Sequence, residues 1–224
     1  MLALVGGDEF RPACREMDRA LLAALGTRRP RVLILPTAAA LEHPERAASN
    51  GIDYFRTLDV AADASMVLTR EDAEKTELLE PLRAADLLYF VGGSPQYLLE
   101  TLQGTAAWRL ISQQHRGGQA IAGSSAGTMV LAQKMLGAGG AWVDALGLLP
   151  GVALLPHYER QPGERVALLR KNLGQKLVLL GVDSATACVN LGGVTWQALG
   201  KGRVVVHHGA TRSVYVHGQT FTLP

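Results

Sequence analysis

The chain is poor in the residue types that mark several protein classes. Its 224 residues include only two cysteines, Cys14 and Cys188, which lie far apart in the sequence. Neither a disulfide framework nor a zinc knuckle is therefore indicated. The 22 lysine and arginine residues nearly balance 20 acidic residues, and no block of basic residues occurs. The sequence thus lacks the electrostatic footprint of a nucleic-acid-binding protein.

Long apolar runs are also missing. No stretch approaches the roughly 18 consecutive apolar residues that suggest a membrane span. The first residues, MLALVGGDEF, contain an apolar run too short for a signal peptide and have no basic flank. With 48% hydrophobic and 19% charged residues, the composition predicts a soluble, cytoplasmic protein with no membrane partner and a single domain over residues 1–224.

Short apolar segments alternate with longer amphipathic ones through the first two thirds of the chain. This order predicts an α/β fold with a mostly parallel central sheet and helices on both of its faces. The expected strands are LALV (2–5), RVLILP (31–36), a shorter one near Met66–Leu68, DLLYFVGG (86–93) and QAIAG (119–123). After about Leu177, short strands separated by glycine-bearing turns predict C-terminal β-hairpins, which finish the sheet or add a small antiparallel layer.

The segment IAGSSAGTMV contains the pattern Gly-x-Ser-x-Gly at Gly123–Gly127. A strand precedes the pattern and a helical stretch, TMVLAQK, follows it, which is the context of a nucleophile elbow. Ser125 occupies the central position and is the candidate nucleophile, although such a serine can also be an ordinary helix cap. The amide of Ala126 would begin the helix and stabilise an oxyanion, with Gly93 as a second backbone donor.

A serine nucleophile needs a base, and six histidines compete for that role. His157 directly follows the apolar run VALLP, which places it at the carboxyl end of a strand, as Ser125 is. Ligands of open α/β sheets bind beyond these strand ends. The other histidines fall in the terminal hairpins or at helix ends, where structural roles suffice for them. We therefore expect His157 to be the partner of Ser125.

Four segments in order resemble the dipeptidase E and cyanophycinase family of serine peptidases, which shares its fold with class I glutamine amidotransferases. The segments are YFVGGSPQYLLETLQGT, GGQAIAGSSAGTMVLA, LGLLPGVALLPHYERQPGERVALLR and LGVDSATACV. The resemblance implies that Ser125 is the nucleophile, that His157 is the general base, and that the amides of Gly93 and Ala126 form the oxyanion hole. It implies hydrolysis of small peptides through an acyl-enzyme, without a metal or an organic cofactor.

The chain departs from the family at the residue expected to orient the histidine. The family carries a glutamate where this sequence has Ser184. Either Ser184 orients the ring alone, or Asp144, Glu159 or Asp183 substitutes for the missing carboxylate, or the site is crippled. A second departure, Pro95 in place of an Asn or Gln, bears on substrate contacts.

The resemblance also implies a preference for substrates with an aspartate, which needs a cation in the site. Arg160 and Arg165 follow His157 closely and are the candidates for this contact. An equally good interpretation is that GERVALLR is a helix with exposed arginines. The sequence leaves a homodimer open.

Two other functions compete with a serine peptidase. One is a catalytically inactive or weakened descendant that keeps the pocket to bind a small ligand. The other is an esterase of α/β-hydrolase type, because Ser125, Asp144 and His157 follow the order Ser–acid–His. Only 32 residues separate Ser125 from His157, which is too short for the sheet elements of that fold, so the esterase ranks last.

Overall fold

A computed structural model describes residues 1–224 and contains fourteen strands and seven α-helices. The strands are β1 (Leu2–Val5), β2 (Arg31–Leu35), β3 (Ala61–Ala64), β4 (Leu87–Phe90), β5 (Ala120–Ser124), β6 (Ala132–Leu136), β7 (Trp142–Asp144), β8 (Leu149–Pro156), β9 (Val178–Val182), β10 (Thr186–Asn190), β11 (Thr195–Gly200), β12 (Val204–His208), β13 (Thr211–Tyr215) and β14 (Thr220–Thr222). The helices are α1 (Arg15–Ala24), α2 (Pro44–Arg56), α3 (Thr76–Ala84), α4 (Pro95–Leu102), α5 (Ala106–Arg116), α6 (Ala126–Leu131) and α7 (Gly163–Leu173). No helix has both the length and the apolar character that crossing a membrane requires.

The larger sheet has eight strands in the order β14-β11-β10-β1-β5-β4-β2-β3. Strands β1, β5, β4, β2 and β3 run parallel, whereas β10, β11 and β14 extend the sheet antiparallel. Alternate residues of each parallel strand belong to opposite cores: Leu4 and Leu88 pack on one face, and Val5 and Tyr89 on the other. Because both faces are covered, these strands read as near-continuous apolar runs. The predicted α/β class is confirmed.

The smaller sheet has six strands in the order β13-β12-β9-β8-β6-β7, with β8 parallel to both β6 and β9. Its apolar residues, such as Leu154 and Val206, share one core with Leu4 and Leu88 of the larger sheet. One face of the larger sheet therefore packs partly against helices and partly against this second sheet. The C-terminal strands divide between the two sheets, since β10, β11 and β14 join the larger one and β9, β12 and β13 the smaller.

Two element boundaries differ from the sequence prediction. The strand expected at Met66–Leu68 lies instead at Ala61–Ala64, on the edge of the larger sheet, where alternate residues face solvent and little apolar surface is needed. The apolar residue Val67 suggested a strand, but it is a buried core residue within an irregular segment. The helix expected over TMVLAQK ends at Leu131, because Ala132–Leu136 forms β6.

The parallel strands place four chain segments at one edge of the fold. β1 lies between β10 and β5, in a register that pairs Val5 with Ser124, and β4 lies on the far side of β5. The residues that follow β1, β4 and β5 therefore emerge side by side. β8 of the smaller sheet ends at Pro156 and delivers the residue after it to the same place.

Candidate active site

Ser125 occupies a sharp turn between β5 and α6. Its backbone has φ 49° and ψ −110°, a strained conformation for a residue with a side chain. The flanking glycines are required by space. A Cβ on Gly123 would lie 2.6 Å from the Gly127 carbonyl carbon, and one on Gly127 would lie 2.4 Å from the Phe90 carbonyl oxygen. The Gly-x-Ser-x-Gly pattern thus has a direct steric cause.

Ser125, His157 and Ser184 form a chain of contacts. Ser125 Oγ lies 2.8 Å from His157 Nε2, and His157 Nδ1 lies 3.1 Å from Ser184 Oγ. His157 follows β8 and Ser184 follows β9, so neighbouring strands of the smaller sheet supply them. If Nδ1 carries the ring proton and donates a hydrogen bond to Ser184 Oγ, Nε2 is free to take a proton from Ser125. The contacts thus run from a candidate nucleophile to a base and from the base to a group that can orient it, which is the arrangement that nucleophilic catalysis needs.

Backbone amides next to Ser125 are available for an anion. The N–H group of Gly93 has no hydrogen-bond partner within the protein. Gly93, with φ 141°, lies so close to the turn that follows β2 that a Cβ would be 2.2 Å from the Ala38 carbonyl oxygen. Ala126 is the first residue of α6, where unpaired amides are expected. The two groups proposed from the sequence therefore flank the nucleophile.

Glu9, which the sequence did not point to, connects two segments of the site through its carboxylate. Its Oε1 accepts from the Gly92 amide and its Oε2 from the Ser124 hydroxyl, both at 2.7 Å. One carboxylate thus ties the glycine pair after β4 to the nucleophile turn, and it occupies the hydroxyl of Ser124. The sequence held a signal for this contact: Glu9 follows β1, which pairs in parallel with β5, so its segment had to lie beside Ser125.

A cavity of about 910 Å³ opens at this edge and is lined by 20 residues, including Ser125, His157 and Gly93. Most of the remaining wall comes from two segments that the sequence argument did not consider, residues 8–15 and 42–57. Arg11 and Arg46 belong to this wall, and neither guanidinium makes an ion pair or a hydrogen bond within the protein. The cavity therefore combines a serine–histidine pair with two arginines that have no partner in the protein, in a wall that also carries the carboxylates of Glu42 and Asp53.

The arginines expected from the sequence are placed differently. Arg160 pairs with Asp8 at 3.3 Å and with Glu159 at 3.1 Å, so its charge is already engaged. Arg165 is exposed on α7 and does not line the cavity. The chain turns away after Pro162 to begin α7, and closeness to His157 along the sequence does not become closeness in space.

The three carboxylates considered for orienting His157 lie in different places and have different partners. Asp144 pairs with Lys134 at 2.9 Å on the edge of the smaller sheet, and the buried Asp183 binds Arg203 at 2.9 Å. Glu159 alone contacts the site, because its Oε2 accepts the Ser184 amide at 3.0 Å. No contact joins Asp144 to His157, and the Ser–acid–His constellation of an α/β-hydrolase esterase is not formed.

The two cysteines do not compete with Ser125. Cys14 is buried, and burial together with the nearby Asp18 raises the pKa of its thiol to about 12. Burial also raises the pKa of the Cys188 thiol well above its usual value. A protonated thiol is a poor nucleophile. No group of three or more His, Cys, Asp or Glu side chains is arranged to hold a metal ion.

Comparison with known proteins identifies the family and the fold. The sequence model of peptidase family S51 matches residues 1–192. The cyanophycinase of Trichormus variabilis is 27% identical over 246 residues, covering 96% of this chain and 79% of that protein. The crystal structure of a peptidase from an acI-B1 Actinobacterium superposes with a TM-score of 0.86 at 29% identity, covering 99% of this chain and 96% of the other. A Listeria monocytogenes protein named after peptidase E, 18% identical with a TM-score of 0.59 over 96% of this chain and 97% of its own, shares the fold.

Proposed function

Because the chain belongs to peptidase family S51 and is a serine peptidase, we propose that it hydrolyses short peptides with Ser125 as nucleophile and His157 as general base. The observation that carries the proposal is the 2.8 Å contact between Ser125 Oγ and His157 Nε2. This distance is within the range in which a base removes the proton of its nucleophile. The contact lies in the wall of a cavity large enough for a small peptide.

The proposed reaction follows from these contacts. His157 Nε2 takes the proton of Ser125 as Oγ attacks the peptide carbonyl carbon, and the C–N bond then breaks as the imidazolium returns that proton to the leaving amine. Water, deprotonated by the same nitrogen, then attacks the acyl carbon, and the bond between Oγ and that carbon breaks as the imidazolium returns the proton to Ser125. The amides of Gly93 and Ala126 are the donors for the oxygen that becomes negative during both steps.

A library of short peptides, profiled with wild type beside Ser125→Ala, tests the activity. We expect hydrolysis by the wild type and none by the variant. A fluorophosphonate should label Ser125 as judged by mass spectrometry, and it should still label Ser125 in the matched control Ser124→Ala. Label at another residue, or an active Ser125→Ala, would contradict the mechanism.

We propose that the substrates carry an acidic group near the scissile bond. The support is the pair of unpaired cations, Arg11 and Arg46, in the wall that also contains Ser125. A guanidinium binds a carboxylate through two parallel hydrogen bonds, which gives both affinity and orientation. Arg160, which the sequence suggested for this role, does not line the cavity, and its charge is paired with Asp8 at the cavity edge.

The acidic preference is tested by the ratio of kcat/KM for matched peptides that contain Asp or Asn at one position. Arg11→Gln and Arg46→Gln should lower this ratio about tenfold or more each, since each removes a charge-assisted hydrogen bond of roughly 1.5–3 kcal/mol. Arg165→Gln, an exposed arginine on α7, is the control and should leave the ratio unchanged. A ratio of one in the wild type would exclude the preference, and equal ratios in all four proteins would exclude Arg11 and Arg46 as its cause.

One observation favours a weakened enzyme as a second candidate. Ser184 stands where a carboxylate would stabilise the imidazolium, and a hydroxyl carries no charge. In serine proteases, replacing that carboxylate by an amide costs about 10⁴-fold in kcat, partly through the wrong tautomer of the histidine. Slow but measurable turnover agrees with the leading proposal. Tight binding of acidic peptides without any turnover or labelling would favour the binding-only alternative.

A further inference from the structure

The hydroxyl of Ser184 creates an ambiguity that a carboxylate at the same position would not. Ser184 Oγ lies 3.1 Å from His157 Nδ1, and a hydroxyl can either donate to this nitrogen or accept from it. If it donates, the proton of a neutral imidazole resides on Nε2, which then cannot take the proton of Ser125. An ionised carboxylate only accepts, and therefore enforces the productive tautomer. Some other group must set the direction of the Ser184 hydroxyl.

Glu159 is placed to set that direction. Its Oε2 accepts the Ser184 amide at 3.0 Å, and its Oε1 accepts the Arg160 Nε at 3.1 Å, so both oxygens are held. Burial raises the pKa of the Glu159 carboxyl, but the hydrogen bond from the Ser184 amide and the charge of Arg160 outweigh burial and hold it below its usual value. Glu159 is thus an acceptor-only group next to the hydroxyl in question.

We propose that Glu159 accepts a hydrogen bond from the Ser184 hydroxyl, so that Ser184 Oγ must in turn accept a hydrogen bond from the N–H at His157 Nδ1. The order of donation becomes His157 Nδ1 to Ser184 Oγ, and Ser184 Oγ to Glu159. Nε2 then keeps its lone pair toward Ser125 Oγ, 2.8 Å away. Glu159 is a positioning residue that acts through Ser184. It supplies a negative charge that lies farther from the His157 ring than a carboxylate at position 184 would. The proposal rests on the roles given above to Ser125 and His157.

The other carboxylates around the site have different partners. Asp183 Oδ2 accepts from the backbone amide and the side chain of Arg203, and Asp8 pairs with Arg160. Asp144 pairs with Lys134. None of these carboxylates hydrogen-bonds to Ser184, whereas Glu159 does.

The tautomer of His157 can be read by ¹⁵N NMR without any catalysis. The measurement uses Ser125→Ala at a pH where the imidazole is neutral, alone and combined with Glu159→Gln or Asp144→Asn. We expect the Nδ1–H form to predominate in Ser125→Ala and in the Asp144 control, and the Nε2–H form to increase severalfold with Glu159→Gln. Gln keeps an oxygen for the Ser184 amide, so the turn is retained. An unchanged tautomer ratio would overturn the proposal, whether or not the protein proves to be a peptidase.

Kinetics supply an independent test with a rescue. Glu159→Gln should lower kcat about 10- to 100-fold, the cost usually seen when the partner behind a metal-binding histidine is lost, while KM stays close to that of wild type. In the same variant, Ser184→Glu places a carboxylate against Nδ1 directly and should restore at least part of kcat. A kcat within twofold of wild type in Glu159→Gln would refute the role. A folded double variant without recovery would reduce Glu159 to an anchor of the Ser184 turn and would also refute it.

Discussion

Gly7 lies against the imidazole of His157, and its replacement by alanine probes how tightly the base is held. A Cβ at this position would lie 1.9 Å from His157 Cε1, 2.5 Å from Nδ1 and 2.7 Å from Nε2. The backbone around it is fixed, since the Gly7 carbonyl accepts the Ala185 amide at 3.0 Å. With φ at 131°, Gly7 also has a conformation that side chains rarely adopt. The clash must therefore be relieved mainly by the ring.

The displacement sets the size of the effect. Ordinary van der Waals contact begins near 3.4 Å, so Cε1 would have to retreat by about 1.5 Å. A shift of that size is enough to break the 2.8 Å contact between Nε2 and Ser125 Oγ. Because a misplacement of about 1 Å can cost about 100-fold in rate, Gly7→Ala should lower kcat/KM by at least that factor. The backbone strain adds a stability loss of about 1–3 kcal/mol.

Gly26→Ala is the matched control. Gly26 also has a positive φ, 68°, but a Cβ there would have no atom within 4 Å. It should share the strain, with a stability loss of about 1–2 kcal/mol, and keep the wild-type kcat/KM. Peptide hydrolysis, the rate of fluorophosphonate labelling and thermal unfolding are measured for all three proteins. Labelling of folded Gly7→Ala at the wild-type rate would refute the idea that this glycine positions the base.

Three further predictions concern stability. Ser125→Gly should be more stable than Ser125→Ala by about 1 kcal/mol or more in its free energy of unfolding, because glycine relieves the strain at φ 49°. Equal melting temperatures of the two variants would argue against that strain. Burial raises the pKa of Asp18 from 3.8 to about 7, so its stabilising effect is complete below pH 3.8 and is lost as the pH rises through 7. Denaturant titrations across this range should show a flatter decline for Asp18→Asn. Burial and the charges of Arg170 and Arg212 lower the pKa of His207 from 6.5 to about 4, so its contribution is present above pH 6.5 and lost as the pH falls through 4. His207→Gln, which can still meet the Tyr158 hydroxyl, should lose less stability on acidification than wild type, and an identical acid profile would contradict this.

Local patterns allowed the prediction of the elements that carry the chemistry. Strands buried on both faces, such as β4 and β5, are nearly continuous apolar runs, and their ends are marked by glycine pairs or small residues. Gly123 and Gly127 have a purely local steric cause, which is why the nucleophile turn is visible in the sequence. His157 was recognisable because it directly follows a strand.

The walls of the site could not be predicted in the same way. Arg11 and Arg46 lie on a loop and on α2, and only the packing of these segments over the strand ends brings both to one cavity. Arg165, by contrast, follows His157 closely in sequence but lies on the exposed side of α7. The exposed edge strand at Ala61–Ala64 carries no apolar pattern, so its pairing with β2 had no signal. Such features depend on contacts between distant segments.

The distribution of backbone strain bears on the choice between an active enzyme and a pocket that only binds. Six residues other than glycine have positive φ. Two of them are the proposed nucleophile and base, Ser125 and His157, two line the cavity, Asp8 and Phe10, and Ala185 follows Ser184. Each such residue costs about 1–3 kcal/mol and persists only where the surrounding structure imposes it. A site that merely binds a peptide gains nothing from holding a serine hydroxyl 2.8 Å from an imidazole nitrogen at that cost. Since the proposed nucleophile and base, Ser125 and His157, are both among these strained residues, the geometry favours catalysis over binding alone.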